Sequence, residues 1–415
     1  MDRINKSLLN ELLQLFPCVA IIGVRQCGKT TLLSQLPKNW EKFDLEKGSD
    51  LEIVSRDPDL FLRLHPNQTA IDEAQLLPEI FSSLRVAIDS DRKRKGRFII
   101  TGSSSPELIT NISESLAGRV AIIELAPFTF GETQKLLTPQ VGKLISNLIT
   151  IDELDTSSIS AKRLKVQHQY WLRGGYPEQW LENNQRFSKL WFQNYVKTYL
   201  NRDILRLFPN LNHRKFKVFL QMLSNLSGTI INYSNIARAL GVSQPTVREY
   251  LNIAHGTFIW RHIPSYEKNA LKRVVKHPKG YVRDSGLLHF FLHLHSENDL
   301  LSHPSFGSSW EGMVIEELIR SLDSLGTSFD YYHYRTSGGA EVDLVLEGEF
   351  GLVPVEIKYG QRVTLRELKG IRGFMNDHKC KFGLVINNDE KICQYDENLY
   401  GIPFALLNSA HKSSL

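Results

Sequence analysis

The segment that most constrains this chain is residues 19–33, in which a short apolar run leads into a glycine-containing loop. Within the loop, Gly23, Gly28, Lys29 and Thr30 match the pattern G-x-x-x-x-G-K-[ST] at every position. The glycines permit the dihedral angles and the close approach that a loop needs when its backbone N–H groups surround a phosphate. The apolar run before the loop and the helix-forming residues after it are typical of a strand and a helix in a parallel α/β sheet.

The residue types in this loop predict how it would hold a nucleoside triphosphate. Lys29 would reach the β- and γ-phosphates, Thr30 would offer its hydroxyl to Mg²⁺, and the helix beginning near Gly28 would direct its positive end at the same charge. The full predicted nucleotide-binding set is Gly23, Arg25, Gln26, Cys27, Gly28, Lys29, Thr30 and Thr31. A glycine turn without a ligand is the alternative, but such a turn does not need the lysine and the hydroxyl.

An acidic pair, Asp72 and Glu73, ends the strand-like segment 69–71 farther along the chain. In ATPases with a phosphate-binding loop, an aspartate at a strand end holds Mg²⁺, directly or through water, and an adjacent glutamate can polarise the attacking water. We expect Asp72 and Glu73 to take these two roles. Residues 67–69 are more polar than a buried strand should be, and a solvated acidic pair is the alternative interpretation.

Residues 97–105 form an apolar strand-like segment that ends in hydroxyl side chains. Ligands of an open α/β sheet lie beyond the carboxyl ends of its strands. Thr101, Ser103 or Ser104 is therefore a candidate for sensing the γ-phosphate or the attacking water, and Thr101 is our choice among them. The alternative is a hydroxyl-rich loop that caps the following helix.

Arg119 stands just before the mostly apolar segment 121–125, which we expect to be a strand. An arginine there could stabilise transition-state charge on a nucleotide, in its own subunit or in a neighbour's. A surface salt bridge is the alternative, and spacing alone does not separate the two.

Taken together, these motifs resemble the AAA-type ATPases of bacteria and archaea that carry a C-terminal domain of unknown function. The resemblance rests on the phosphate-binding loop and on residues 71–78, 101–103, 116–120, 125–128, 173–178 and 195–204. It covers essentially the whole chain, in order and spacing. It implies ATP binding and hydrolysis, and it says little about the biological task. It also places a helical lid beside the nucleotide.

The 415 residues are enough for about two to three domains, each with its own core. We expect an α/β chain with an AAA-type P-loop domain at 1–145, a helical lid and connector at 146–210, a winged helix at 211–285 and a restriction-endonuclease-like domain at 286–415. Within the lid, Arg202 and Asp203 either report nucleotide state or form an internal ion pair.

Composition and charge limit where the protein works. Four cysteines without paired spacing or a neighbouring histidine pattern predict neither a zinc site nor a disulfide framework. Residues 1–17 carry charges that a signal peptide would lack, and no apolar run approaches the roughly 18 residues that span a membrane. We therefore expect a cytoplasmic protein without a membrane partner. A net charge of +5 permits an acidic partner but does not require one.

Residues 233–254 predict a helix-turn-helix, with Ser243 as N-cap of the second helix and Pro245 in its first turn. The segments 257–260 and 271–275 would be the strands of a wing. In a DNA-binding version, the groove-facing residues would be Gln244, Thr246, Arg248 and Asn252, and the phosphate contacts would be Lys268, Lys272, Arg273, Lys276 and Lys279. A winged helix that contacts only protein is the alternative, which Glu249 favours slightly.

The last part of the chain carries an acidic and basic pattern on two strand-like segments. Asp343 lies on the first segment, and Glu356 and Lys358 share one face of the second. This spacing is typical of restriction-endonuclease-like nucleases, in which two carboxylates hold Mg²⁺ and a lysine orients or activates water. Glu311, on a preceding helix, resembles the extra acidic residue of that fold. Such domains also occur without cleavage activity.

Three functions remain open from the sequence. The first is an ATP-binding and ATP-hydrolysing protein that couples its nucleotide state to a winged helix and a nuclease-like domain. The second is an ATP-gated, Mg²⁺-dependent DNA nuclease. The third is a nucleotide-switched regulator that binds DNA or protein and cuts nothing. A homo-oligomer is required only if Arg119 acts on a neighbour's nucleotide.

Overall fold

The computed structural model describes residues 2–103, 112, 114–158, 161–182, 184–200, 204–267, 277–336, 338–361 and 363–410. The chain forms two compact units. The first consists of Met1–Pro127 and Gly256–Phe258, and the second of Phe128–His255 and Ile259–Leu415. Residues 128–145, which we expected in the P-loop domain, thus pack within the second unit.

The first unit is a parallel sheet with helices. Its strands are β1 (Cys18–Gly23), β2 (Glu41–Asp44), β3 (Thr69–Asp72), β4 (Phe98–Ser103) and β5 (Val120–Glu124). Its helices are α1 (Lys6–Leu15), α2 (Lys29–Ser34), α3 (Gly48–Arg56), α4 (Pro58–Leu64) and α5 (Glu79–Ser90), with a 3₁₀ turn at Ala74–Leu76. The strand order is β2-β3-β4-β1-β5, and every pair is parallel.

Strand β1 lies inside this sheet because every one of its residues is apolar or glycine and all are buried. It pairs with β4 so that Gly23 faces Ser103, while Asp72 ends the neighbouring strand β3. Parallel strands bring their carboxyl ends to one edge of a sheet. The end of β1, the acidic pair and the hydroxyls of β4 therefore share that edge, which we call the carboxyl edge.

The second unit contains the elements after β5 that the structure describes. Its helices are α6 (Phe130–Thr133), α7 (Gln140–Ile145), α8 (Ala161–Arg173), α9 (Glu178–Leu181), α10 (Gln185–Thr198), α11 (Ile204–Leu207), α12 (His213–Asn225), α13 (Tyr233–Leu240), α14 (Gln244–Gly256), α15 (Ser285–Phe291), α16 (Glu297–Ser302), α17 (Phe306–Asp323) and α18 (Lys369–His378). Its strands are β6 (Thr229–Ile230), β7 (Trp260–Ile263), β8 (Lys279–Val282), β9 (Phe329–Arg335), β10 (Glu341–Gly348), β11 (Gly351–Ile357), β12 (Gly383–Asn387), β13 (Cys393–Asp396) and β14 (Leu399–Pro403).

These strands make two sheets. A three-stranded antiparallel sheet has the order β6-β8-β7, and a six-stranded mixed sheet has the order β13-β14-β12-β11-β10-β9. In the mixed sheet, β10 and β11 form an antiparallel hairpin, whereas β11, β12 and β14 run parallel. Helix α17 belongs to the core that covers this sheet, with Trp310 and Leu318 almost fully buried.

Helices α13 and α14 have the arrangement that the sequence predicts. Gly241 ends α13 in the left-handed region, with φ at 60°. The Ser243 hydroxyl accepts a hydrogen bond of 3.2 Å from the Thr246 backbone N–H, so Ser243 caps α14 as expected.

The first of the two strands expected beside these helices has different bounds in the structure. Of residues 257–260, only Trp260 belongs to a strand, because Phe258 has a φ of 60° and interrupts extended backbone. The partner of β7 is β8, and the expected second strand at 271–275 lies outside the described residues.

Among the helices that the structure describes, none combines the length and the apolar character needed to cross a membrane.

Candidate functional site

The backbone of the phosphate-binding loop has the conformation that its glycines permit. Gly28 has a φ of 100° and Gln26 a φ of 61°, so two residues of the loop are left-handed. A Cβ at Gly23 would lie 2.1 Å from the Leu125 carbonyl oxygen, so only glycine fits there. The loop therefore curves back on itself between β1 and α2.

Lys29 lies inside this curve. It is 4% exposed, and its Nζ donates hydrogen bonds of 3.0 Å to the Gly23 carbonyl oxygen and 3.2 Å to that of Val24. The Lys29 ammonium group is therefore held inside the loop by two carbonyl oxygens of the loop itself. Of the other predicted binding residues, Arg25 is half-buried, Cys27 is buried, and Gln26, Thr30 and Thr31 are exposed.

Arg3 supports the loop from outside it, which the sequence analysis did not predict. The Arg3 guanidinium is 5% exposed and donates hydrogen bonds of 2.7 Å to the Cys27 carbonyl oxygen and 2.5 Å to that of Ala126. It thus joins the loop to the segment that follows β5. One arginine before an amphipathic helix carries no sequence signal for this contact, because its partners are backbone atoms far along the chain.

Asp72 and Thr101 form one hydrogen-bonded unit at the carboxyl edge. The Thr101 hydroxyl donates to Asp72 Oδ1, and both side chains are buried. The Glu73 backbone N–H points at the same pair, 3.2 Å from Asp72 Oδ1 and 3.3 Å from Thr101 Oγ1. Since Thr101 is 1% exposed, its hydroxyl is placed to orient Asp72.

Glu73, the residue after β3, has a left-handed backbone conformation with φ at 54°. Its carboxylate accepts hydrogen bonds from the Ser103 hydroxyl, at 3.3 Å to Oε1 and 3.2 Å to Oε2, and from Gln75 Nε2. Ser103 is therefore the predicted hydroxyl that contacts Glu73. Ser104, the third candidate, lies outside the described residues.

The structure places Arg119 away from the loop. Val120 pairs with Cys18 at the amino end of β1, whereas the loop follows Gly23 at the other end. The strand has 6 residues, so its five steps of about 3.3 Å place these ends about 17 Å apart. Arg119 instead forms an ion pair with Asp89 on α5, with two N–O distances of 2.8 Å. This hydrogen bond lowers the pKa of Asp89 and raises that of Arg119.

Arg119 therefore cannot reach a nucleotide held by its own loop. Of the roles that the sequence left open, this arrangement argues against action in its own subunit, because the arginine and the loop lie at opposite edges of the sheet. Contact with a nucleotide in a second copy of the chain stays a prediction.

The donors at the carboxyl edge fit ATP and Mg²⁺ chemically. A buried ammonium, backbone N–H groups of a left-handed loop and an exposed threonine hydroxyl at a helix start suit phosphate and the metal. Asp72 adds a carboxylate that Thr101 orients. Within the described ranges, no three His, Cys, Asp or Glu side chains lie close enough together to hold a metal ion.

The second acidic cluster lies on the mixed sheet. Asp343 of β10 accepts a 2.8 Å hydrogen bond from the Ile357 backbone N–H of β11. Glu356 is 6% exposed; its Oε1 accepts a 2.7 Å bond from Lys358, and its Oε2 has no hydrogen-bond partner. Burial raises the pKa of both carboxyls, and for Asp343 the charges of Glu311 and Glu356 raise it further.

Glu311 joins this cluster through a buried lysine that the sequence assigned elsewhere. Lys279 is 5% exposed, and its Nζ lies 2.6 Å from Glu311 Oε1 and 3.3 Å from Glu341 Oε1. Tyr281 also donates to Glu311. Burial would lower the pKa of Lys279, but Glu311 and Asp343 raise it. The expectation that Lys279 contacts DNA phosphates is wrong, because a lysine buried on two carboxylates cannot reach a surface ligand.

The exposed face of α14 carries the side chains expected to read DNA. Gln244, Arg248 and Asn252 are exposed, and Thr246 is half-buried. Gln244 donates a 3.0 Å bond to the Ser234 hydroxyl, and the Arg248 guanidinium lies 5.0 Å from the centre of the Tyr233 ring. The lid pair Arg202 and Asp203, and the expected phosphate contacts Lys268, Lys272, Arg273 and Lys276, lie outside the described residues.

Three family models match the chain. One described as an AAA domain matches residues 16–134, which include the loop and the carboxyl edge. Two described as domains of unknown function match residues 164–298 (DUF8612) and 306–407 (DUF4143). The second of these contains Glu311, Asp343, Glu356 and Lys358.

Similar proteins come from bacteria and archaea. The uncharacterized protein Rv2008c of Mycobacterium tuberculosis is 34% identical over 341 residues, which is 82% of this chain and 69% of that protein. The uncharacterized protein MJ1544 of Methanocaldococcus jannaschii is 25% identical over 392 residues, 89% of this chain and 82% of that protein. Among solved structures, the Walker-type ATPase PABY2304 of Pyrococcus abyssi matches with a TM-score of 0.43 at 16% identity. The match covers 69% of this chain and 94% of the PABY2304 chain.

The loop on a five-stranded parallel sheet is the fold of a P-loop ATPase, which supports ATP binding and hydrolysis. The chain matches an AAA domain in its first part and DUF4143 in its last part, and it is 34% identical to a relative over 82% of its own length. It therefore belongs to the family of AAA-type P-loop ATPases that carry this C-terminal domain of unknown function.

Proposed function

We propose that the protein hydrolyses ATP at the carboxyl edge of its first unit, with Glu73 as the residue that prepares the attacking water. The observation that carries this proposal is the restraint on the Glu73 carboxylate, which Ser103 and Gln75 hold by hydrogen bonds. Ser103 pairs in register with Gly23, at the end of β1 from which the loop begins. A general base must be held within reach of the water that it polarises.

The other residues of the edge bind and orient. Lys29 would exchange its two carbonyl acceptors for phosphate oxygens, and the loop N–H groups would surround the same phosphates. Thr30 and Asp72 would hold Mg²⁺, whose charge offsets that of the phosphates. Thr101 orients Asp72, and Ser103 is the better candidate than Thr101 for sensing the γ-phosphate, because it contacts Glu73 and is less buried.

An ATPase assay with Mg²⁺, combined with a binding titration using a fluorescent ATP analogue, tests this proposal. Lys29→Ala should abolish binding, and Glu73→Gln should keep binding while turnover stops. Lys38→Ala is a matched control, since Lys38 is an exposed lysine of the same unit. Unchanged ATP affinity in Lys29→Ala, or normal turnover in Glu73→Gln, would remove the corresponding residue from its role.

For the second unit, we propose that α12, α13, α14 and the sheet β6-β8-β7 form a winged helix that binds DNA through α14. The exposed Gln244, Arg248 and Asn252 on one helix support this proposal. A protein partner on the same face is the alternative. Affinity for duplex DNA should fall steeply as salt rises, because phosphate contacts release counterions. Binding that Arg248→Ala leaves unchanged would argue against α14 as the contact.

The C-terminal cluster supports a nuclease-like site as a second candidate function. The supporting observation is the partnerless Glu356 Oε2, a buried carboxylate oxygen beside Asp343 and Lys358. Incubation with DNA and Mg²⁺, with and without ATP, separates the remaining functions. Cleavage that requires ATP and is lost in Lys358→Ala supports an ATP-gated nuclease. Intact DNA together with ATP turnover supports a nucleotide-switched binding protein.

A further inference from the structure

The second unit contains a cavity of about 560 Å³ that none of the roles above uses. Its walls come from the end of α8, the first half of α10, helix α15 and the segment before and at the start of α16. All the residues that line it lie within residues 164–298, the segment matched by the DUF8612 model. The phosphate-binding loop belongs to the other unit, so this cavity is a separate site.

One side of the cavity is apolar and firmly built. Phe192 of α10 and Phe290 of α15 stack with ring centres 5.8 Å apart, and Leu172 and Leu294 lie beside them. Helix α15 can approach α8 closely because residue 286 is glycine: a Cβ there would lie 2.0 Å from the Arg173 carbonyl oxygen. The wall is thus defined by backbone packing as well as by side chains.

A second contact fixes the same helix pair. The His289 ring lies with Nδ1 3.2 Å from the Leu172 carbonyl oxygen and with Nε2 2.6 Å from the Ser309 hydroxyl. Ser309 also accepts a 2.9 Å hydrogen bond from the Trp171 indole. Because these partners are buried, α8 and α15 keep their spacing, and the cavity between them and α10 is preformed.

The other side of the cavity is positively charged. Arg173, Arg186 and Lys189 line it, and Glu297 is the acidic residue among the lining side chains. The Glu297 carboxylate lies 2.5 Å from the His168 ring, so its charge is directed toward that histidine. His295 also lines the cavity; burial, with the charge of Lys189, lowers its pKa, so it adds no positive charge at neutral pH.

We propose that this cavity binds a small organic anion that has an apolar body and one phosphate, sulfonate or carboxylate group. The stacked phenyl rings would receive the apolar body, and the exposed Arg186 and Lys189 would pair with the anionic group. A volume of about 560 Å³ lies in the range of small-ligand pockets. Because the Glu297 carboxylate is bound to His168, the charges of Arg186 and Lys189 favour an anion over a cation.

The probe for this proposal is 1-anilinonaphthalene-8-sulfonate, an anion with an aromatic body, titrated by fluorescence against the full chain. N-phenyl-1-naphthylamine, which has the same body without the sulfonate, is the matched neutral probe. We expect the anion to bind more tightly, by about fivefold or more, and to lose this advantage as salt rises.

Two variants locate the binding. Arg186→Gln combined with Lys189→Gln should weaken the anionic probe by about fivefold or more while leaving the neutral probe unchanged. Ser188→Trp, which fills the rim of the cavity, should block both probes. Lys197→Gln is the control, because Lys197 is an exposed lysine on the same helix outside the cavity.

Thermal melting of each variant establishes that it folds. Equal affinity for the two probes in the unmodified chain would overturn the proposal. The proposal would also be overturned if both the double variant and Ser188→Trp are folded and bind the probes as tightly as the unmodified chain, since the probes would then bind elsewhere.

Discussion

The Arg3 guanidinium donates a 2.7 Å hydrogen bond to the carbonyl oxygen of Cys27, the residue that precedes the glycine and lysine of the phosphate-binding loop. A second hydrogen bond, of 2.5 Å, joins the same guanidinium to Ala126 after β5. The loop is thereby tied to the sheet beside its own backbone bond from the Cys27 N–H to the Val24 carbonyl oxygen, at 3.4 Å. The conformation of the loop thus depends on a residue outside the motif.

Replacing Arg3 should therefore weaken both the fold and nucleotide binding. In Arg3→Met, the buried Cys27 carbonyl oxygen and the half-buried Ala126 carbonyl oxygen lose a charged donor, and we expect the free energy of unfolding to fall by about 2 kcal/mol. Urea unfolding measures this change, and a fluorescent ATP analogue measures the accompanying loss of affinity. Lys6→Met is the control, because the Lys6 side chain forms an exposed ion pair with Asp2. Unchanged affinity in folded Arg3→Met would mean that the loop holds its shape alone.

Thr101→Val should separate binding from turnover. Valine has nearly the shape of threonine but cannot donate to Asp72, so the carboxylate would lose the group that orients it. We expect ATP affinity to change little and turnover to fall at least about tenfold, since general acid–base and metal-orienting groups contribute on that scale or more. Thr101→Ser, which keeps the hydroxyl, should retain most of the activity. Equal turnover in the valine and serine variants would contradict the role assigned to Thr101.

Replacing Arg119 distinguishes a surface ion pair from an arginine that acts on a second copy. If the pair with Asp89 is its whole role, then Arg119→Ala and Asp89→Ala should have the same ATPase rate as the unmodified chain at every protein concentration. If Arg119 acts on a neighbour, only Arg119→Ala should lose activity, and the activity of the unmodified chain should rise with concentration. ATPase rates over a dilution series decide between the two.

Local signals in the sequence predicted much of the architecture. Helix α4 begins at Pro58, and the preceding Asp57 side chain accepts a hydrogen bond from the Leu60 N–H. Helix α13 ends where the sequence predicts, because Gly241 begins the turn that Ser243 completes. The order of the motifs predicted the parallel sheet and the position of the loop on it. Each of these features depends on residues that lie close together along the chain.

Contacts between distant residues were not predictable in the same way. The bond from Arg3 to Cys27, the pair of Arg119 and Asp89, and the burial of Lys279 against Glu311 all depend on how separate elements pack. Lys279 was expected at the surface because lysine usually lies there. Its burial is stable because carboxylates from two other elements offset its charge, which no local pattern records.

Glu317 of α17 should make the stability of the protein depend on pH. It is 2% exposed and accepts hydrogen bonds from the Phe130 N–H and from Tyr170, yet burial raises its pKa from 4.5 to about 7. Because the folded state holds this proton more tightly, the stabilisation is complete below about pH 4.5 and is lost as pH rises through 7. The Glu317→Gln variant cannot titrate, so its stability relative to the unmodified chain should rise by roughly 2–3 kcal/mol between pH 5 and 8.

The neighbouring Glu316 provides a control with the opposite shift. Burial alone would raise its pKa, but Arg261, Arg283 and Arg320 lower it to about 2, so this carboxylate is charged throughout the range from pH 5 to 8. Its stabilisation is present above about pH 4.5 and is lost only as pH falls through 2. Glu316→Gln should therefore destabilise the protein by a similar amount at pH 5 and pH 8, because three buried guanidinium groups lose their carboxylate. Burial lowers the pKa values of His262 and His289 to about 4, and both histidines are present in the unmodified chain and in both variants. Their effect on stability therefore cancels when each variant is compared with the unmodified chain by urea unfolding at pH 5 and pH 8. A Glu317→Gln variant whose stability difference from the unmodified chain is the same at pH 5 and pH 8 would show that Glu317 does not hold its proton near neutral pH.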